Sequence, residues 1–412
     1  MAGIFPFCSV QYRDVHRLAS LVAPPYDVIS PEEQQALYDL SPHNIVRLEL
    51  GQRSPEAQSD PYEAAASLLH EWMHSGVLTR SVKPGFIIYR QTYQLPGGSQ
   101  HTRTGFFAEV QLEEFSTGII RPHEETFAGP KEDRLRLLRA CRANLSPIFG
   151  LYPDHPDVSR TLAAAASAAP DADFLDTKGI RHQMWSLQDS AACETITSSL
   201  AESHILIADG HHRYETALAY RKERRESGNS HWPQRALFVL VSMGDSGLVV
   251  LPTHRVLRRV NASTLDGWQG RLGGATVLPI PSDVESIEAA LKPEGGESRF
   301  VLVLPDGCHL LKYGPGQGSP LDCLDVSRLH REVLPAVAGS GDPHELDIEY
   351  TQDAGLALDR VREGRAAAAL LVNPTPVEKV NLVASTGDRM PEKSTYFYPK
   401  LSTGLVLRVE GE

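Results

Sequence analysis

Ile205-Leu206-Ile207-Ala208-Asp209-Gly210-His211-His212-Arg213-Tyr214-Glu215-Thr216-Ala217-Leu218-Ala219-Tyr220-Arg221 is the stretch on which the reading of this chain turns. A short apolar run ends in a polar turn. The turn opens straight into a helical pattern, with Tyr214, Ala217 and Leu218 at i, i+3 and i+4. Strand, glycine turn and helix in that order aim backbone N–H groups and the positive end of a helix at an anion. The turn also carries Asp209, His211, His212 and Arg213, so a phosphate cradle is expected with acid–base groups beside it. In the plainer alternative Asp209 is a helix cap and Arg213 a solvated first-turn residue. Five consecutive residues of special chemistry, most of them unnecessary for a cap, favour the cradle.

The 412 residues suffice for two or three domains. With 41% apolar and 22% charged residues the chain reads as an ordinary soluble globular protein. Its net charge of −12 argues against a general nucleic-acid or anionic-membrane binder, because both need a basic surface. No apolar stretch is long enough to span a bilayer, and Met1 to Val10 lacks the charged and apolar regions of a signal peptide. Cys8, Cys141, Cys193, Cys308 and Cys323 are scattered and show no CxxC spacing, which fits small core residues and not a disulfide frame or zinc site. The expectation is a cytoplasmic protein whose partners are small molecules, with no nucleic acid and no membrane, and with the oligomeric state left open.

Working outward, Phe86 to Leu95 and His101 to Val110 read as strands of a hairpin turning at Pro96-Gly97-Gly98-Ser99-Gln100. A second hairpin is expected from Ala236 to Leu251 around Gly244-Asp245-Ser246, and a third from Arg299 to Tyr313 around Pro305-Asp306-Gly307. Helices are expected at Pro31 to Asp39, Pro61 to Gly76, Arg134 to Arg142, Val158 to Ala168, Tyr214 to Arg225, Val326 to Ala336 and Ala354 to Glu363, with Ser30 and Asp60 as caps. Hairpins interleaved with helices point to an α+β fold of mixed, hairpin-rich sheets with flanking helices, not a doubly wound parallel one. Linkers are expected at Pro293 to Ser298, Gly314 to Pro320 and Ala338 to Pro343, and the expected division is a main α+β domain over 1–260, a smaller α+β insertion over 261–340, and a segment over 341–412 that packs back on the main domain.

Four other clusters are dense in chemistry. Ala23-Pro24-Pro25-Tyr26-Asp27-Val28 is a stiff turn that either simply makes a rigid connection or preorganises a site, in which case, for a phosphotransferase, Tyr26 and Asp27 suit recognition of a small acceptor, Asp27 pairing with an ammonium group. In Arg121 to Arg134, His123 and Glu124 are candidates for acid–base work, Glu125 for a Mg²⁺ ion, and Lys131 and Arg134 for phosphate. Lys393-Ser394-Thr395 sits in Met390 to Lys400 like the end of a P-loop without the preceding GxxxxG, and is a weaker candidate for phosphate. Leu251-Pro252-Thr253-His254-Arg255 brings a further His254–Arg255 pair to the list of substrate contacts. A charged loop, packed aromatics and a solvated strand end are the plainer readings of the last three. Gly244-Asp245-Ser246-Gly247 spells a serine-protease box but sits in a hairpin turn, and adjacent His211-His212 lacks the i, i+4 spacing of a helical zinc pair.

Taken together, the PPYDV turn, the RPHEETF-GPKEDR loop, Asn144 to Tyr152, ADGHHRYETAL, PTHR and MPEKSTYFYPK make the chain resemble, nearly end to end, domain-of-unknown-function family 1015. The Asp-Gly-His-His-Arg core is in turn similar to the strand–loop–helix motif of free-serine kinases, which share a fold with sulfiredoxin and the nucleotide-binding domain of ParB proteins. That resemblance implies a ParB/sulfiredoxin-like phosphate site. Asp209 would be the catalytic acid/base, and Gly210, His211, His212 and Arg213 would lie at the donor phosphates. The implied activity is a Mg²⁺-dependent phosphotransferase moving a phosphoryl group from ATP, ADP or pyrophosphate to a small hydroxy compound, free L-serine above others. The alternatives are a nucleotide-binding regulatory protein without turnover and a phosphomonoester hydrolase.

Overall fold

The computed structural model describes residues 2–52, 60–95, 98–125, 128–228 and 234–410. The chain forms two compact units, one of Met1–Pro122, Thr126–Val249 and Pro399–Glu412, the other of His123–Glu125 and Val250–Tyr398. The expected α+β class is met: several sheets, the largest of them mixed, with flanking helices.

The first unit is built on a nine-stranded mixed sheet. Its strands in chain order are β1 (Ile4–Phe5), β2 (Phe86–Gln94), β3 (Gln100–Gln111), β4 (Ile120–Arg121), β5 (Ile148–Tyr152), β6 (Ala172–Leu175), β7 (Arg181–Leu187), β8 (Ile205–Asp209) and β9 (Arg235–Ser242). They lie in the order β4-β8-β5-β9-β3-β2-β7-β6, with β1 beside β3. β8 runs parallel to β4 and antiparallel to β5, and β9 runs parallel to β5. Every residue of β5 is buried, as are Ile205 to Ala208, so these strands read as short unbroken apolar runs and not as alternation. One core joins Ile205, Ile207, Phe238 and Phe106 of the sheet to Val158, Ile196 and Tyr214 of the helices.

Helices that accompany the sheet include α1 (Pro31–Leu40), α2 (Val46–Glu49), α3 (Pro61–His74), α4 (Ala128–Cys141), α5 (Pro156–Ala165), α6 (Ser190–Leu200) and α7 (His211–Glu226). The Ser30 side chain accepts from the Glu33 N–H and that of Asp60 from the Tyr62 N–H, so both expected caps form. Helix α6 was not expected. Its Ser/Thr-rich polar face hides a buried stripe of Cys193, Ile196 and Leu200, and Asp189 caps it.

The second unit carries a six-stranded antiparallel sheet of β10 (His254–Leu257), β11 (Thr276–Ile280), β12 (Ser298–Leu304), β13 (Gly307–Tyr313), β14 (Ile348–Thr351) and β15 (Ala368–Val372), in the order β11-β13-β12-β15-β10-β14. Both faces are covered. Phe300, Leu302 and Leu304 enter one core and Val301 and Val303 the other, the two-residue period of a strand.

Two local expectations are corrected. The run from 236 to 251 is no hairpin: β9 pairs with β3 and β5. The Asp245 carboxylate accepts from the Thr104 and Gly247 N–H groups and folds the turn onto β3. Gly247 lies so close to the Thr102 carbonyl that no side chain fits there. The helix over 326–336 is broken into Asp325–Arg328, a π-helical turn at Leu329–Val333, and Leu334–Ala338. Pro335 has no N–H to continue an α-helical ladder, and the wider turn precedes it. The expected Pro96-Gly97 turn lies outside the described residues. Among the described residues no helix is long and apolar enough to cross a membrane.

Candidate functional site

Asp209 ends β8 opposite Phe149 of β5, past an irregularity in register after Ile207. Gly210 then takes a left-handed conformation at φ +90°, and α7 starts at His211 with no side-chain cap. The backbone conformation calls for glycine at 210, and a β-carbon there would also stand 3.0 Å from the Arg213 guanidinium and press it aside. Gly210, and not Asp209, holds the N-cap position, and the Asp209 carboxylate turns to cations.

Arg213 donates to Asp209 Oδ2 at 2.7 Å, and Lys400 Nζ donates to Oδ1. Burial alone would push the Asp209 carboxyl up. The charges of Lys400 and Arg213, the Lys400 hydrogen bond and the charge of His211 outweigh burial and hold it well below the usual carboxylate range. Arg213 also donates to the Pro147 carbonyl, which fixes its fork. One carboxylate thus holds two cations at the start of a 16-residue helix, and positive charge is in excess.

A second layer sets Lys400. Gln91 of β2 and Arg103 of β3 are cross-strand partners. Arg103 donates to Gln91 Oε1 and, at 2.6 Å, to the Pro399 carbonyl, while Gln91 donates to the Lys400 carbonyl at 3.3 Å. The Arg103 guanidinium is fully buried, lies 4.7 Å from the Phe149 ring centre, and is lowered by burial to about 10. These two polar side chains inside a sheet clamp the backbone whose lysine reaches Asp209.

Of the other first-unit candidates, Tyr26 stacks under Arg134, whose guanidinium carbon is 4.2 Å from the ring centre. Burial raises its hydroxyl to about 12, against the lowering fields of Arg213 and Arg134. Asp27 is exposed. Arg134 is buried and spends its fork on Glu49 Oε2 (2.7 Å), the Glu49 carbonyl (3.0 Å) and Asp133. Lys131 pairs with Glu215 of α7. His211 is buried and His212 half-buried.

The remaining candidates belong to the second unit. Thr395 donates its N–H (3.0 Å) and its hydroxyl (2.9 Å) to Glu124 Oε1. Because the carboxylate only accepts, the Thr395 hydroxyl proton is committed to it, and His123 Nε2, 2.9 Å away, must donate to Thr395. Glu125 is exposed, and its N–H donates to the Met390 carbonyl at 3.3 Å. Burial raises the nearby Glu392 carboxyl to about 7, opposed by Lys393 and reinforced by Glu124 and Glu125. Lys393 has φ +57°, and its carbonyl accepts from Arg255 at 3.2 Å; the Ser394 hydroxyl donates to the Pro391 carbonyl at 2.5 Å. His254 Nδ1 accepts from the Val372 N–H at 3.2 Å, and burial lowers its imidazole to about 4. Arg255 is buried and donates to the Thr253 carbonyl.

Both oxygens of Asp209 carry cations, so it offers none to a metal. Among the described residues no three His, Cys, Asp or Glu side chains stand where they could share an ion. The groups around Asp209 therefore do not fit a resident Mg²⁺ site.

Lys400, Gln91 and Arg103 were not singled out from the sequence. The only signal was that Lys400 ends the Met390 to Lys400 motif; an arginine and a glutamine within apolar strands give none.

No curated protein matches the sequence. Among solved structures, the chain is similar to a conserved hypothetical protein from Pyrococcus furiosus at 16% identity and TM-score 0.37, covering 73% of this chain and 95% of that one. It is similar to a free serine kinase variant in complex with AMP at 14% identity and TM-score 0.39, over 73% of this chain and 92% of that one. It is also similar to a C-terminally truncated SbnI from Staphylococcus aureus at 12% identity and TM-score 0.37, over 72% and 85%. The sequence itself places the chain more firmly: the family described as "Protein of unknown function (DUF1015)" matches residues 4–327, and the chain belongs to that family.

Proposed function

We propose that the first unit holds a phosphotransferase site of the ParB/sulfiredoxin-like type, which moves a phosphoryl group from a nucleotide or pyrophosphate to a small hydroxy compound, free L-serine first among them. The observation that carries this reading is the Lys400–Asp209–Arg213 group at the uncapped start of α7. Phosphoryl transfer asks for charge neutralisation and alignment more than for covalent chemistry. Lys400, Arg213, the helix N-terminus and the imidazoles of His211 and His212 supply the first. In the reaction the acceptor hydroxyl oxygen bonds to phosphorus, the bond to the donor's bridging oxygen breaks, and the hydroxyl proton passes to Asp209. A carboxylate held this far down is a weak base, which suits a loose transition state in which the proton leaves late. Mg²⁺, where it takes part, fits the role of the donor's own counter-ion, since Mg²⁺ is commonly held by substrate phosphates with few protein ligands.

The ion group also favours a second reading. A carboxylate neutralised by two cations serves a nucleotide-binding protein without turnover equally well. Phosphorus NMR of the full chain with Mg²⁺, L-serine and, in separate samples, ATP, ADP or pyrophosphate decides between them. A phosphoserine resonance that disappears in Asp209→Asn is the expected result and names the donor. Donor binding without any new resonance selects the non-catalytic reading, and orthophosphate alone selects a hydrolase.

A further inference from the structure

One pocket of the first unit sets charged and polar side chains among apolar ones. Glu49, Arg134, Asn144, Ser146, Arg213 and Thr216 line it beside leucine, alanine and isoleucine side chains. Arg213 belongs to both this pocket and the Asp209 group. Thr216 lies three residues further along α7, on the same face of the helix.

Two features of the wall point to a ligand. The Thr216 side chain is 96% buried by its 4% exposure, yet its hydroxyl has no hydrogen-bond partner. A buried hydroxyl left unpaired costs free energy, and a helical threonine normally spends it on the carbonyl one turn back. The second feature is a carboxylate. Arg134 is shared by Glu49 and Asp133, and Asp133 also lies in the field of Arg136. Arg134 takes Glu49 Oε2, and among the described residues no hydrogen bond reaches Oε1. The wall therefore offers one carboxylate oxygen and one hydroxyl without a hydrogen bond among the described residues.

We infer that this pocket is the acceptor subsite, and that it takes a small compound carrying both an ammonium and a hydroxyl group. The inference rests on the phosphotransferase reading for the word acceptor, but not for the binding itself. Glu49 receives the ammonium group, and Thr216 hydrogen-bonds the ligand's hydroxyl on the side where Arg213 joins the phosphate site. Asp27, exposed on its turn, is then not needed for the ammonium.

The test is calorimetric titration of the full-length protein with L-serine, ethanolamine and D-glycerate, each with and without ADP. L-serine and ethanolamine should bind, and D-glycerate, which has the hydroxyl but no ammonium, should not. Thr216→Val keeps the shape and should weaken L-serine by about tenfold while leaving ADP unchanged, the loss of one hydrogen bond. Glu49→Gln should abolish the preference for ammonium compounds, and thermal melts of both variants control for folding. Absence of L-serine binding to the unaltered protein, equal binding of D-glycerate, or an unchanged L-serine affinity in Thr216→Val overturns the subsite. If the subsite fails while ADP binds and phosphoserine forms, the phosphotransferase reading stands. If ADP does not bind while Thr216→Val still weakens L-serine, the pocket stands and the phosphate site fails.

Discussion

Lys400 governs what Asp209 can do. With Lys400 and Arg213 in place the carboxylate stays ionised in a buried setting that would otherwise protonate it. Lys400→Met keeps the stem and removes the charge, so the Asp209 carboxyl should rise toward the ordinary range of about 4 or above. The pair also sets an acid limb of stability. The folded pKa of Asp209 lies below its unfolded value of about 4, so the stability it contributes is complete above that pH and is lost as pH falls below it. Denaturant midpoints between pH 3 and 7 should fall on the acid side in the natural protein and fall less in Asp209→Asn. Glu392 carries the opposite sign. Its carboxyl is raised to about 7, so its contribution is present while it stays protonated and is lost as pH rises from about 4.5 through 7. Glu392→Gln should therefore melt higher than the natural protein at pH 8 and no higher at pH 4; equal melting at pH 8 contradicts the assignment.

At the scale of the element, the β8–Gly210–α7 unit was readable because each of its three parts obeys a local rule: a buried apolar strand, a left-handed glycine and a 3.6-residue period. Gly210→Ala tests the middle part. It forces a side chain into φ +90° and within 3.0 Å of the Arg213 guanidinium. A stability loss of about 1–3 kcal/mol is expected in denaturant unfolding, with a weaker donor affinity because Arg213 must shift. A variant as stable as the natural protein would mean that neither constraint holds. Elements whose partners are distant were less readable. Residues 236–251 look like a hairpin because alternation and a Gly-Asp turn are local signals. The pairing of β9 with β3 and β5 depends on strands some 90 to 130 positions away, and on Asp245 finding the Thr104 N–H.

Across the whole molecule, the class of fold followed from repeated hairpins between helices, and the family from motifs spread over most of the length. Pro399–Glu412 returns to the first unit after 149 residues of the second, Val250–Tyr398. That return brings Lys400 to Asp209, which no linear motif announces. The same segmentation sorts the chemistry-bearing residues: Tyr26, Lys131, Arg134 and the Asp209 loop belong to the first unit, and His123, Glu124, Glu125, His254, Arg255 and Lys393 to Thr395 to the second. The overall charge of −12 coexists with a locally cationic group at Lys400 and Arg213, so anion binding there should weaken with salt.

The central claim is that Lys400 and Arg213, gathered on Asp209 at the start of α7, bind the donor's phosphates. Calorimetric titration of the natural protein with ADP, beside Lys400→Met and the second-unit control Lys312→Met, tests it directly. ADP should bind, Lys400→Met should weaken it by about tenfold or more, as loss of a charge-assisted contact requires, and Lys312→Met should not. ADP binding of equal strength in Lys400→Met, or none to the natural protein, would contradict it.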